Sequence, residues 1–293
     1  MGKLLLISLA TLTALGAPRL DPEPIVISSK DRTLSGLLQL PDSPARPVPA
    51  VVLVHGSGRL SARDMLYGSG QRLAAMGFAV FAYDKRGVGA STGEYTSIGP
   101  ANSVHMFDLL ATDALAGVEM LKSRRDIDPR RIGLFGISQG GWIAPLAASR
   151  NSSIAFVVAL SGPAVSVGEE IAYSRLAGDD PGSIQGLSAA EIDRRMAEFN
   201  GPHGYDPGPT LETLNVPSLW ILGELDRSIP LKRTVSVLDR LAKERKRPVT
   251  THVFAGLNHG LRNPVTGAQP DFWTVIADWL RAGGVIGRST GRD

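Results

Sequence analysis

The strongest constraint on the fold of this chain is the regular alternation of short β-rich runs with longer helical stretches. The later β-rich runs consist almost continuously of Val, Ile, Leu and Phe, which is typical of strands covered on both faces in a parallel sheet. The alternation therefore predicts an α/β fold, with helices on both faces of a mostly parallel, eight-stranded sheet. The predicted strands are EPIVISS, LSGLLQL, PAVVLVHG, FAVFAYD, RIGLFGI, IAFVVALSG, SLWILGEL and VTTHVFAG.

The first two β-rich runs are joined by KDRT, which leaves no room for a helix between them. We therefore expect these two strands to pair as an antiparallel hairpin at one edge of the sheet. Helical patterns occupy the intervals between later strands. The predicted helices cover residues 64–76, 104–122, 140–149, 231–244 and 271–282.

One interval between predicted strands is too long for a simple crossover, and it is rich in Gly, Pro and Asp. We interpret this interval, residues 164–214, as an insertion that forms a short lid over the core. The core is then made of residues 18–163 and 215–286, and residues 287–293 form a C-terminal tail.

The insertion contains the segment SAAEIDRRMAEF, which predicts an amphipathic helix. Ser188 and Glu191 have the spacing of a capping box at its start. Ile192, Met196 and Phe199 then fall on one helical face, which must be buried somewhere. We expect this face to line the substrate pocket. The alternative is a surface excursion whose apolar stripe packs on the scaffold without touching substrate.

The N-terminus has the pattern of a signal peptide over residues 1–17. Lys3 precedes an apolar run over residues 4–17, and Pro18 and a polar, proline-rich stretch follow. This run is too short to span a bilayer comfortably, and no second apolar span follows it. We therefore expect a periplasmic or secreted protein with no stable membrane span after the peptide is removed. The alternative is a buried N-terminal helix.

Composition excludes several classes of site and partner. The chain has no cysteine, so a disulfide framework, a thiol nucleophile and a Cys-ligated metal are all excluded. It also lacks H-E-x-x-H and any cluster of His and carboxylates at ligand spacing, and we expect neither a metal nor another cofactor. The net charge is only +3, and no aromatic residues are interleaved with the basic runs to stack on bases, so we expect no nucleic-acid partner.

Two serines match the pattern G-x-S-x-G, which is typical of serine hydrolases. Ser138 follows the strand RIGLFGI and precedes a helical pattern, as a nucleophile on a strand-turn-helix elbow would. Gly136 and Gly140 would relieve the steric contacts of such a strained turn. Ser91 lies well beyond the end of its strand, and no helix follows it. The context therefore favours Ser138 as the nucleophile.

A serine nucleophile needs a histidine base and a carboxylate that orients it. Among five histidines, His259 directly follows the last predicted strand, whereas His252 lies within that strand. Asp226 enters the turn after SLWILGEL, while Glu224 still continues the strand. We therefore predict His259 as the base and Asp226 as its partner. The alternatives are a surface-loop histidine and an aspartate that bonds its own turn.

The segment HGSG ends the third predicted strand and carries two glycines. Such a turn allows a backbone N–H to face the elbow and to serve as one donor of an oxyanion hole. The predicted donors are the backbone N–H groups of Ser57 and Gln139. The alternative is a plain glycine turn, in which His55 only packs locally.

With Ser138, Asp226 and His259 in this chain order, the sequence resembles the α/β-hydrolase superfamily over nearly the whole mature chain. YDKRGVGAST resembles a segment found after the fourth strand of esterases, in which the aspartate and the arginine are structural. YDPGPTLETLNVPSLWILGELD resembles the segment that leads into the acid-bearing strand of esterase-like and prolyl-oligopeptidase-like members. The chain has no room for the propeller domain of the prolyl oligopeptidases.

This resemblance implies the α/β-hydrolase fold and a serine hydrolase, most simply a carboxylesterase acting on small or medium acyl esters. In that interpretation Ser138 attacks, His259 moves the proton and Asp226 orients the imidazole. A peptidase or amidase with the same three residues is the first alternative. A binding protein without activity on the same scaffold is the second.

Overall fold

The computed structural model describes residues 21–42, 47–179 and 183–287 of the chain. The predicted signal peptide over residues 1–17 lies outside these ranges, as do residues 288–293 at the C-terminus. In the part of the chain that the structure describes, every helix is too short or too polar to cross a lipid bilayer.

The described residues form one eight-stranded sheet with the strand order β1-β2-β4-β3-β5-β6-β7-β8. The strands, numbered in chain order, are β1 (Glu23–Ser29), β2 (Arg32–Gln39), β3 (Val48–Val54), β4 (Ala79–Tyr83), β5 (Ile127–Ile137), β6 (Phe156–Leu160), β7 (Ser218–Gly223) and β8 (Val249–Phe254). From β4 to β8 all neighbouring strands are parallel. The predicted, mostly parallel eight-stranded sheet is therefore confirmed.

The antiparallel part of the sheet lies at one edge. β1 pairs with β2 as the predicted hairpin, and β2 pairs antiparallel with β4. Lys30 makes the tight turn between the two strands with a φ of 50°. Gly36 of β2 allows close packing at this edge, because a Cβ there would lie 2.6 Å from the carbonyl oxygen of Ala82.

Each predicted helical interval is helical, but one is divided into two helices, and the insertion holds two helices that the sequence does not predict. They are α1 (Ala62–Met65), α2 (Gln71–Ala75), α3 (Ser103–Lys122), α4 (Gly140–Ser149), α5 (Val167–Ala177), α6 (Ala189–Ala197), α7 (Gly208–Thr213), α8 (Leu231–Lys243) and α9 (Phe272–Ala282). The single helix expected over residues 64–76 is instead two short helices joined by the π-helical turn Leu66–Gly70. This turn contains two glycines, which weaken a regular helix.

The hydrophobic core forms on both faces of the sheet, as the sequence predicts. Successive side chains of β3 point to opposite faces because a strand has a period of two residues. Val52 belongs to the same buried cluster as Phe107 of α3. Val51 belongs to the other cluster, with Leu73 of α2 and Ile276 of α9. The central strands are thus covered on both sides.

The insertion between β6 and β7 holds three helices, α5 to α7, where the sequence predicts one. In α6, Ser188 accepts the N–H of Glu191 at 3.2 Å, as predicted. The Glu191 carboxylate does not complete the box, because it accepts from Arg194 and Arg195 instead. A complete capping box begins α5, where Ser166 and Glu169 bond each other reciprocally.

Candidate active site

Ser138 lies at the turn between β5 and α4, at the carboxyl edge of the sheet. Its φ of 51° is in the left-handed region, which costs free energy for a residue with a Cβ. Both predicted glycines are required by close backbone contacts. A Cβ on Gly136 would lie 2.3 Å from the carbonyl oxygen of Gly140, and one on Gly140 would lie 2.5 Å from that of Val54. The turn therefore presents the Ser138 side chain above the sheet.

The structure brings Ser138, His259 and Asp226 together, although they are far apart in the sequence. His259 Nε2 lies 2.9 Å from Ser138 Oγ, and His259 Nδ1 lies 2.8 Å from Asp226 Oδ2. Each residue follows a different parallel strand, β5, β7 or β8, and these strands end at the same edge. The contacts form one continuous series from carboxylate to hydroxyl.

Asp226 is held by its own turn as well as by His259. Its Oδ1 accepts the backbone N–H groups of Ser228 at 2.8 Å and Ile229 at 3.0 Å, and the side chain is fully buried. The turn-bonding alternative and the orienting role are therefore compatible in one residue. Glu224 is exposed and accepts the N–H of Gly256 instead.

The pKa of His259 is set by the burial of the ring and by the carboxylates near it. Burial alone would lower the pKa of the imidazole. The hydrogen bond and the negative charge of Asp226 outweigh burial, with smaller contributions from Asp179 and Glu170, so that the pKa of His259 lies above its ordinary value. Asp226 thus favours the imidazolium that a general base must form.

Ser57 and Gln139 both line the cavity next to Ser138. Neither backbone N–H donates to an acceptor within the described ranges of the chain. Donors that lack a partner beside a nucleophile are the arrangement that an oxyanion hole requires. The geometry therefore leaves the two predicted donors available for a ligand oxygen.

The cavity beside Ser138 has a volume of about 260 Å³. α5 supplies one of its walls with Val167, Glu170, Ile171 and Arg175. The other lining residues are Ser57, Ile98, Ser138, Gln139, Trp142, Pro163 and Ile229. The insertion therefore reaches the cavity, but with a helix that the sequence did not predict.

The predicted apolar face of α6 lies elsewhere. Within the described chain, neither Ile192, Met196 nor Phe199 lines this cavity. Met196 is buried, and the Phe199 ring packs edge to face against His203 at 5.3 Å between ring centroids. This corrects the expectation that the α6 face lines the cavity at Ser138: the face lies outside this cavity, and its Phe199 contacts His203, a residue of the same insertion.

The other matches to catalytic patterns have structural contacts. Ser91 Oγ donates to the carbonyl of Asp84 at 2.7 Å and accepts the N–H of Ser35 at 3.0 Å, and neither of these contacts involves His259. His55 is buried and bonded to the carbonyl oxygen of Tyr83. Burial and then the charge of Lys85 lower the pKa of His55 to about 3, so its ring is neutral.

Two residues that support the site were not predicted. Ser161 follows β6 with a φ of 47°, and its Oγ donates to the carbonyl of His259 at 2.7 Å. Lys85 lies behind the glycine turn and donates to the carbonyl of Gly56 at 2.9 Å. In the sequence, the only signal for Ser161 is its position near the end of the predicted strand IAFVVALSG, at the edge of the sheet where Ser138 lies. Lys85 carried none beyond its place in YDKRG.

Among the residues that the structure describes, no group of three or more His, Asp or Glu side chains is arranged to hold a metal ion.

Several known proteins are similar to this chain. Esterase EstD of Thermotoga maritima is 28% identical over 269 residues, covering 82% of this chain and 61% of EstD. Human dipeptidyl peptidase 8 is 25% identical over 246 residues, and the match covers 80% of this chain but only 26% of the peptidase. The chain thus spans less than two thirds of these two relatives.

The fold comparison agrees with the topology. The structure of a Pyrococcus furiosus esterase superposes with a TM-score of 0.64 at 21% identity, covering 89% of this chain and 92% of the esterase. The family described as serine aminopeptidase, S33, matches residues 45–194, just over half of the 293-residue chain. These findings confirm the predicted α/β-hydrolase fold, and the chain belongs to the serine aminopeptidase S33 family of α/β-hydrolases.

Proposed function

We propose that the protein is a carboxylesterase that hydrolyses esters of small or medium acyl groups through an acyl-enzyme on Ser138. The observation that carries the proposal is the hydrogen-bond series from Asp226 through His259 to Ser138 beside a cavity. A serine hydroxyl is a weak nucleophile, and a base held by a carboxylate activates it. The similarity to EstD supports an ester substrate.

The acylation step uses each of these groups. Ser138 Oγ bonds to the ester carbonyl carbon while its proton moves to His259 Nε2. The electron pair of the carbonyl π bond moves to the oxygen, which accepts hydrogen bonds from the N–H groups of Ser57 and Gln139. When the tetrahedral intermediate collapses, the bond to the alcohol oxygen breaks, and the alcohol takes the proton from His259.

Deacylation repeats the sequence with water as the nucleophile. Water bonds to the acyl carbon as its proton moves to His259 Nε2, and collapse breaks the bond to Ser138 Oγ. The serine recovers the proton and the carboxylic acid leaves. Asp226 stays ionised and keeps the imidazole in the tautomer that accepts at Nε2.

The base must be neutral to accept the serine proton, so the pH profile follows from its surroundings. Because the pKa of His259 lies above its ordinary value of 6.5, activity falls as pH drops through a value above 6.5. An acid limb below 6.5 would contradict this assignment of the base.

A peptidase or amidase is the second candidate, and one observation favours it. Glu170 lines the same cavity as Ser138, and a carboxylate in this cavity would attract the ammonium group of an amino-terminal substrate. The family description and the similarity to dipeptidyl peptidase 8 agree with this candidate. It requires His259 to protonate an amine, which is a poorer leaving group than an alcohol.

The deciding experiment compares a p-nitrophenyl ester with an aminoacyl p-nitroanilide. We expect faster hydrolysis of the ester, and Ser138→Ala to lower kcat on the order of 10⁶-fold, as loss of the nucleophile does in other triads. Ser91→Ala is the matched control, and it keeps most activity. Faster anilide hydrolysis would favour the peptidase. An absence of turnover and of fluorophosphonate labelling in the wild type would favour the non-catalytic alternative.

The cavity wall supplied by α5 also predicts how acyl length is selected. Trimming Ile171 to alanine enlarges the cavity and should shift preference toward longer acyl chains by about fourfold per accommodated methylene, which is about 0.8 kcal/mol. Phe199→Ala is the matched control from α6: it should lower the melting temperature and leave the chain-length profile unchanged. A shift in the chain-length profile of the Phe199 variant alone would indicate that the α6 face contacts substrate.

The leader sequence motivates a proposal about location. Lys3 and the apolar residues 4–17 support export to the periplasm or the medium, with removal of the first 16 or 17 residues. Amino-terminal sequencing of the protein from fractionated cells tests this. Recovery of the uncleaved chain from the cytoplasm would end the proposal.

A further inference from the structure

Lys85 connects the two chain segments that carry the predicted oxyanion donors. It lies just beyond β4 and is only 3% exposed. Its Nζ donates to the carbonyl of Gly56 at 2.9 Å and to Oε1 of Gln139 at 2.8 Å. Gly56 immediately precedes Ser57, and Gln139 carries the other donor itself. One ammonium group therefore holds both sides of the hole.

The charge of this ammonium is not neutralised by a carboxylate. No ion pair to Lys85 occurs in residues 21–42, 47–179 and 183–287, and burial lowers its pKa to about 8. The titratable groups that face it are the neutral ring of His55 and the phenol ring of Tyr95, at 5.9 Å. Arg59 lies over the same tyrosine ring at 5.1 Å and adds a second cation.

A buried cation without a counter-ion is costly unless another charge develops nearby. The tetrahedral intermediate at Ser138 would supply that charge, because its oxygen becomes negative only during the reaction. The electrostatics around Lys85 are thus matched to the reacting state and not to the resting one.

The geometry of the peptide bond transmits this charge. The C=O of Gly56 and the N–H of Ser57 belong to one planar, trans peptide unit, so they point in opposite directions. An ammonium that holds the oxygen fixes the plane of the unit. It also polarises the amide, which makes the N–H a stronger donor. The contact with Gln139 fixes the second donor residue in the same way from its side chain.

We propose that Lys85 is a positioning residue that preorganises and polarises the oxyanion hole of this enzyme, by holding the Gly56–Ser57 peptide and Gln139 with an uncompensated positive charge. The inference rests on the proposed serine hydrolase function. It assigns Lys85 to stabilisation of the developing negative charge, with no contact to substrate.

The first test separates kcat from KM. Lys85→Met keeps the length of the side chain but removes the charge and the donors. We expect kcat to fall about 10- to 100-fold, less than the loss caused by deleting a direct oxyanion donor, with KM changed less than about threefold. Binding of a trifluoromethyl ketone, which mimics the tetrahedral oxyanion, should weaken by the same factor as kcat/KM. Lys243→Met, on the exposed face of α8, is the control and keeps full activity.

The second test uses a readout that a merely structural role would not change. Because the charged form of Lys85 is the active one, wild-type kcat should fall as pH rises through about 8. Lys85→Arg should keep its activity well above that pH, since arginine stays charged there. Lys85→Met should show no limb near pH 8, only a uniformly low rate. Tyr95→Phe should keep the wild-type limb, which excludes the phenol as its source.

The outcomes also separate this inference from the proposed function. If wild-type protein hydrolyses ester and Lys85→Met matches it in kcat, the role of Lys85 is overturned and the esterase proposal stands. The same holds if the methionine variant raises KM alone, or if the alkaline limb persists in both Lys85 variants. If wild-type protein neither hydrolyses ester nor reacts with a fluorophosphonate, the proposed function fails and the role of Lys85 fails with it.

Discussion

Lys85 and Arg86 are adjacent in the sequence and both are buried, yet their surroundings are opposite. Arg86 makes two hydrogen bonds to Asp113, at 2.8 and 2.7 Å, and Ser29 Oγ donates to the same carboxylate at 2.6 Å. Within the described residues, the acceptors that Lys85 bonds are neutral: the carbonyl of Gly56 and a glutamine side chain. One cation is fully compensated at rest, and the other is not.

The pKa values of the two cations follow this difference. Burial lowers the pKa of Lys85 to about 8. Burial would also lower the pKa of Arg86, but the hydrogen bonds and charge of Asp113 outweigh it and raise the pKa. The comparison indicates that burial alone does not mark a functional charge. A cation paired at rest joins strands and helices, whereas an unpaired one beside Ser138 is available to stabilise negative charge in the proposed reaction.

The largest effect that tests this comparison is the loss of the Arg86 partner. Asp113 is 0% exposed, so Asp113→Asn removes the carboxylate that bonds the buried guanidinium and leaves the weaker attraction of the exposed Asp31. We expect the free energy of unfolding to fall by about 3–5 kcal/mol, as when one partner of a buried pair is removed. Denaturant titration measures the loss. At a temperature where the variant is folded, kcat should stay within about threefold of wild type.

Lys85→Met is the counterpart in the same assay. It removes an unpaired ammonium but leaves two acceptors without a donor, and these effects oppose each other. We expect the free energy of unfolding to change by less than about 2 kcal/mol, while kcat falls. The contrast between a structural Arg86 and a functional Lys85 would be wrong if Asp113→Asn mainly lowered kcat and Lys85→Met mainly lowered the free energy of unfolding.

The sequence predicted this edge of the sheet well where local pattern decides the geometry. A strand, a turn and a helix around Ser138 require glycines at both flanking positions, and steric contacts show why. The parallel strands then placed His259 and Asp226 at the same edge. The resemblance also implied structural roles for Asp84 and Arg86, in agreement with the contacts of Asp84 with two backbone N–H groups.

The sequence failed where tertiary packing decides. The amphipathic pattern of α6 predicted that an apolar face is buried, but not whether substrate or scaffold covers it. The low amphipathicity of α5 hid the helix that supplies Ile171 to the cavity. Lys85 has no signal of its own within YDKRGVGAST, because a one-dimensional pattern does not show which carbonyl a long side chain will reach.

A smaller effect tests whether Lys85 is charged in the folded protein. His55 is buried next to it, and burial and then the charge of Lys85 lower the pKa of His55 to about 3, from 6.5. Between about pH 3 and pH 6.5, His55 therefore binds a proton in the unfolded chain but not in the folded chain. The stabilising contribution is present above pH 6.5 and is lost as pH falls, by about 1.4 kcal/mol per pH unit.

Measuring unfolding at several pH values in wild type and His55→Gln isolates this contribution. Glutamine can still donate to the carbonyl of Tyr83 but does not titrate. The free energy of unfolding of the variant should therefore fall less steeply than that of wild type between pH 5.5 and 4, and the two slopes should differ by about 1.4 kcal/mol per pH unit. Equal slopes would mean that folded His55 accepts a proton. A protonated His55 beside a charged Lys85 would be strongly disfavoured, because both groups are buried. The charge assigned to Lys85 would then be wrong.

The smallest expected effect concerns a solvent-exposed ion pair on α8. Lys243 Nζ lies 2.7 Å from Asp239 Oδ2 one turn earlier in α8, with side chains 73% and 47% exposed. The distance equals that of the Arg86 pair, but both groups remain partly exposed to water and are screened by salt. We expect Asp239→Asn to change the free energy of unfolding by less than about 0.5 kcal/mol, and by less still in 1 M salt. A loss above about 1 kcal/mol would mean that distance outweighs burial in setting the value of a charge pair here, and burial could then not explain why the Arg86 pair is expected to stabilise the fold more than this pair does.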